Sequence, residues 1–194
     1  MNQRELEDLL VSFVILLVLF SNFEINLMPY AAMAVLTAFI FHELAHRQMA
    51  RHFGYIAFYR RWNVGIALAL IIGIVTRLIT GSAWIFAALG AVYIYSYPSY
   101  LPPSDGRRSN GIIAAVGPAT NIIIGAIALI LIKSVSLGAV ASATLGMIAR
   151  VNLWLAFFNL WPIPPLDGFK VLRWNVGYWA VMIGTAYLLS MIPL

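Results

Sequence analysis

Residues 64–95 read VGIALALIIGIVTRLITGSAWIFAALGAVYIY, and the number of times this stretch crosses a bilayer decides the fold. It divides into two apolar pieces, 64–76 and 83–95, around Arg77 and the helix-breaking run Thr80-Gly81-Ser82. As a helix, each piece reaches only about 20 Å at 1.5 Å per residue. The hydrocarbon core of a membrane is roughly 30 Å thick. A re-entrant or interfacial hairpin fits those lengths better than two ordinary spans. The flanks, IAFYRRW at 56–62 and AVYIYSYPSYL at 91–101, are rich in aromatic and β-branched residues. Short strands are therefore expected near 55–63 and 91–100.

The rest of the chain places that stretch in a membrane. Of its 194 residues, 62% are hydrophobic and 10% charged, against about 25% charged in a soluble domain. Too little polar surface remains to cover a globule in water. The expected class is an all-α polytopic membrane protein, a bundle of about five or six transmembrane helices with a re-entrant or partly β segment near 55–100, forming one domain over 1–194. The net charge of +5 does not indicate nucleic acid. The arginines fall in pairs beside apolar runs (Arg47/Arg51, Arg60/Arg61, Arg107/Arg108), as topology signals do. Cysteine is absent, which excludes disulfides, thiolate metal sites and a thiol nucleophile. MNQRELEDLL at 1–10 lacks the basic region and cleavage site of a removable signal, so the first run, 9–20, is expected to be a retained span.

The second span is expected over 31–50, the next over 112–132 with an interruption at GPATN, then 137–161 and 176–192. The loop LPPSDGRRSNG at 101–111 separates the hairpin from the later spans. Arg47 and Arg51 follow the second span, so this end and the N-terminus are expected on the cytoplasmic side of the cell membrane. Arg150 lies inside the span 137–161 and needs either a route to the surface or a partner, for which Glu24 is the candidate.

The second span contains HELAH at 42–46. Residues four apart share a helix face, so His42 and His46 can present two imidazoles to one metal ion. Glu43 points to the flank of that pair, where a carboxylate can take a proton from water. A catalytic zinc ion usually takes three protein ligands, and few acidic residues are placed to be the third. Glu5, Glu7 and Asp8 precede the first span, Glu24 lies at its far end, Asp105 sits in the basic loop, and His52 is expected at the surface. Asp167, in PLDG, is left. If 64–95 crosses an even number of times, Asp167 arrives on the side of His46; a single crossing would put it on the opposite face. Pro162, Pro164 and Pro165 force extended chain ahead of Asp167. Such backbone either lines a wet cavity or forms an interfacial loop.

Three segments together, HELAH at 42–46, GPATN at 117–121 and NLWPIPPLDG at 159–168, make the chain resemble the site-2 proteases, the zinc intramembrane metalloproteases, in a minimal form without PDZ or CBS modules. The resemblance covers most of 31–173. It implies one Zn2+ per chain held by His42, His46 and Asp167, with Glu43 as general base and acid. It implies that Asn159 holds the substrate or the tetrahedral oxyanion, that Asn121 contributes similarly to substrate binding, and that the strands accept an unwound transmembrane substrate. The expected activity is hydrolysis of peptide bonds within transmembrane segments of membrane proteins. The alternative is a zinc carrier or an inactive pseudo-protease.

Overall fold

The computed structural model describes residues 2–95 and 106–194. Helix α1 (Gln3–Phe20) starts at Asn2, whose side chain accepts the Glu5 amide at 2.8 Å and caps the first turn. A 3₁₀ turn, α2 (Met28–Val35), a π-helical turn (Leu36–Ile40) and α3 (Phe41–His52) then run as one apolar rod. Strand β1 (Ile56–Arg61) leads into α4 (Asn63–Thr80), and β2 (Gly90–Tyr95) returns. Four helices follow: α5 (Gly106–Ser134), α6 (Ala139–Asn159), α7 (Asp167–Trp174) and α8 (Val176–Ser190).

Among the described residues, four helical segments are long and apolar enough to cross a membrane: Ile25–His52, Asn63–Thr80, Gly106–Ser134 and Ala139–Asn159. Helix α8 is apolar but shorter, and α1 carries four charges in its first turns. The chain is an all-α membrane protein with one two-stranded sheet.

The stretch 64–95 goes out and comes back. Its first half is a single helix through Arg77 to Thr80, about 27 Å long at 1.5 Å per residue. Its second half is not helical. After Gly81, which caps α4 at φ 79°, residues 83–89 run without regular structure into β2. The return strand pairs antiparallel with β1, Arg61 opposite Gly90 and Ile56 opposite Tyr95. The excursion therefore ends beside its start, and the later helices bring Asp167 to within 3.0 Å of His46. Strand β1 lies within the range read from its flank, β2 begins one residue ahead of its range, at Gly90, and residues 96–100 are outside the described residues.

Three expectations change. GPATN does not interrupt α5, which passes through Pro118 from Gly106 to Ser134. Residues 106–111 of the expected loop are helical, held by Arg107, whose guanidinium donates to the Arg173 carbonyl, and by Gly111 packed against Trp174; residues 101–105 are outside the described residues. Glu24 faces Arg77 at 3.6 Å rather than Arg150, because the turn Asn22–Phe23, with φ of 54° and 60°, folds back onto the end of α4.

The core brings small residues together so that helices approach closely. Ala34 and Ala38 pack against Ala128, Leu129 and the Ile148–Leu155 face of α6. A second cluster joins Leu9, Leu16 and Leu19 of α1 to Val35, Phe39, Tyr59 and Leu89. Polar contacts fix α1 on the same elements. Buried Glu5 lies 3.0 Å from Arg47, without a directed hydrogen bond, and accepts the Tyr59 amide at 3.2 Å. The Tyr59 hydroxyl donates to Ser12 at 2.9 Å, and Asp8 pairs with Arg60 and Arg61 at 3.3 and 3.4 Å. Removing one member of a buried ion pair strands the other charge. Glu5→Ala is expected to cost about 3 kcal/mol, seen as a clear drop in the melting temperature of the detergent-solubilised protein.

Candidate metal centre

The motif helix α3 begins where the π-helical turn Leu36–Ile40 ends. One extra residue in that turn resets which side of the rod faces inward, a feature often found at functional sites. From there, the i, i+4 spacing places His42 and His46 on the buried face, 3% and 5% exposed. Their Nε2 atoms stand 2.9 Å apart. Asp167 Oδ2 lies 3.3 Å from His42 Nε2 and 3.0 Å from His46 Nε2. A tetrahedral metal ion with bonds of about 2.0 Å sets its donors about 3.3 Å apart. The three atoms fit such an ion after spreading by a few tenths of an ångström. Among the described residues, this is the one group of His, Asp and Glu side chains that can hold a metal.

Helix α5 shapes the space around these donors. Ile113, Gly117 and Asn121 recur every four residues and line one face. The Ile113 carbonyl accepts His46 Nδ1–H at 2.6 Å, which fixes the tautomer and leaves the Nε2 lone pair for an ion. A Cβ at Gly117 would overlap His46 Nε2 and come within 2.7 Å of His42 Nε2. The glycine thus keeps open the volume into which both ring nitrogens point. Pro118 offers no N–H to the carbonyl of Ala114, and Ala114 borders the cavity beside the donors. Gly117→Ala is expected to weaken metal binding by about tenfold or more, measured by chelator competition, because the methyl displaces donors that need sub-ångström placement.

Asp167 is the first residue of α7. The proline-rich turn before it is drawn in by its neighbours: a Cβ at Gly168 would collide with the Leu160 carbonyl, and Trp179 donates its indole N–H to that carbonyl at 2.8 Å. The second carboxylate oxygen, Oδ1, lies 3.4 Å from the Lys170 ammonium, one turn along α7. Lys170 was not singled out from sequence. Its i+3 spacing from Asp167 is the signal that could have found it.

The three donors open onto a cavity of about 300 Å³. Glu43 borders it, with one carboxylate oxygen buried and unpartnered among the described residues. Asn159 borders it too, and spends one amide proton on the Leu155 carbonyl at 3.1 Å, keeping the other and its oxygen. Another wall is the return segment, through Ala87, Ala88, Gly90, Ala91, Val92 and Ile94. Asn121 does not border the cavity; it is fully buried behind His42. His52 is exposed. Glu5, Asp8 and Glu24 are engaged with arginines, and Asp105 is outside the described residues.

The arrangement can hold one metal ion, present a carboxylate to a water molecule beside it, and admit extended peptide along the β2 side. A protein of Methanocaldococcus jannaschii named "Putative zinc metalloprotease MJ0611" is 40% identical over 183 residues, 93% of this chain and 90% of that protein. A Bacillus subtilis protein named "Putative zinc metalloprotease YwhC" is 25% identical over 166 residues, 79% of this chain and 72% of that protein. No family model matches the chain. No solved structure matches it.

Proposed function

This chain belongs to the zinc metalloprotease family that its Methanocaldococcus jannaschii relative represents, and from that premise we propose that it is an intramembrane protease of the site-2 type. It hydrolyses peptide bonds in transmembrane segments of other membrane proteins, with one Zn2+ held by His42, His46 and Asp167. The carrying observation is the convergence of three donor atoms within 3.3 Å, beside Glu43, between apolar helices.

Zinc, when bound, acts as a Lewis acid that makes water a nucleophile at neutral pH and polarises a carbonyl. The residues divide the remaining work. Glu43 takes the proton from the attacking water as the new C–O bond forms, then delivers it to the amide nitrogen as the C–N bond breaks. Asn159, with its free amide proton, donates to the oxyanion on the cavity side. A helical substrate hides its carbonyls in its own hydrogen bonds, so it must unwind locally. The β2 wall favours such a segment, because a strand edge offers backbone partners to an extended peptide. Arg47 and Arg51 close the metal-bearing end of α3, and the positive-inside tendency puts that end and the N-terminus in the cytoplasm.

The test uses the full chain reconstituted in liposomes with a generic transmembrane substrate. One zinc per chain and cleavage inside the substrate's apolar segment are expected. Zinc uptake into the vesicles without any cleavage would overturn the proposal in favour of a carrier.

A further inference from the structure

The two histidines are supported unequally. His46 has its Nδ1 on the Ile113 carbonyl at 2.6 Å. His42 Nδ1 is buried and has no partner among the described residues. One helical turn beyond Gly117, whose Cβ position is 2.7 Å from His42 Nε2, Asn121 lies beside the same ring; it is 0% exposed and has both amide atoms, Oδ1 and Nδ2, equally unpartnered. Three buried polar atoms without partners in one place are costly, because each loses its bonds to water. They are also complementary: an imidazole N–H can donate to a carboxamide oxygen.

The geometry of α5 makes this more than proximity. Along α5 the order is Ile113, Gly117, Asn121; along α3 the matching order is His46, the paired Nε2 atoms, His42. The two helices run in opposite senses, so one stripe meets both rings. Its first residue holds the outer nitrogen of one ring, its glycine clears the shared centre, and its last residue reaches the other ring.

We propose that Asn121 is a positioning residue for the metal: its Oδ1 accepts Nδ1–H of His42, fixes the tautomer with Nε2 free for zinc, and sets the ring's orientation. This rests on the metal site within the proposed function, and it assigns Asn121 to the ring rather than to substrate. A histidine ligand ordinarily needs such an outer partner, and losing one costs about 10–100-fold in metal affinity.

Zinc affinity of the purified full chain, read by competition with a chromophoric chelator, tests this without any substrate. Asn121→Leu, which keeps the bulk and removes the acceptor, is expected to bind zinc about 10–100-fold more weakly. Asn121→Asp keeps an acceptor at the same reach and is expected to stay within about threefold of wild type. Equal weakening in both variants, or wild-type affinity in the leucine variant, overturns the proposal. If the leucine variant does not fold, the aspartate variant decides: a tenfold loss overturns the assignment and retained affinity supports it. A wild-type chain that binds zinc but cleaves nothing would sink the protease reading alone and leave Asn121 as assigned.

Discussion

Glu43→Gln is expected to bind zinc like the wild type and to cleave a transmembrane substrate about 10²–10⁴-fold more slowly. The two halves of that expectation rest on different atoms. Glu43 is not among the three donors that converge at His42, His46 and Asp167, so the ion's hold should survive. The glutamine keeps the size and one carbonyl oxygen at the cavity wall, so packing should survive as well. What disappears is the base that takes the water's proton and returns it to the departing nitrogen. That loss corresponds to about 3–5 kcal/mol in the activation barrier at 1.36 kcal/mol per decade. Metal content and single-turnover cleavage, measured on one preparation, read both halves. A glutamine variant that cleaves within a few-fold of wild type would remove Glu43 from proton transfer.

Asp167→Ala is expected to lose zinc and cleavage together. Two imidazoles four residues apart can still touch an ion, but a stable catalytic site usually needs three protein donors. The loss should exceed the roughly 10–100-fold that outer partners contribute, leaving substoichiometric metal after dialysis and cleavage at background. The contrast with Glu43→Gln is diagnostic: one variant separates metal from activity and the other removes both. Because Asp167 begins α7 and pairs with Lys170, a melting curve belongs beside the metal measurement. Zinc retained at full stoichiometry in a folded Asp167→Ala would mean that the third donor lies elsewhere.

How much of this was legible before the structure differs from residue to residue. The histidine pair and its carboxylate follow from helix periodicity, which is local and strong. Asp167 had to be reached by elimination, by counting crossings and by the resemblance that NLWPIPPLDG carries, since no local periodicity ties its segment to α3. The strands showed in their aromatic and β-branched flanks. Yet 64–76 and 83–95 have similar composition, and one is a helix while the other ends as a strand. The difference is tertiary: the second piece must lie against β1, which no local propensity records. Pro118 reads as a break, but α5 continues past it, because helices between neighbours tolerate a missing N–H. The π-helical turn before His42 leaves no mark in the sequence at all. Glu5 and Asp8 were legible only as acids ahead of the first span, and they tie α1 to Arg47 and to β1. Arg150, for which Glu24 was the expected partner, borders a separate groove with Trp154.

The irregular return segment has one more consequence. Among the described residues, the amides of Ile85, Phe86 and Ala88 make no hydrogen bond, and Ala88 sits at the cavity wall. Bare peptide groups cannot be left facing lipid tails. Water or another peptide has to answer these groups, and at Ala88 the cavity beside the three donors has room for either.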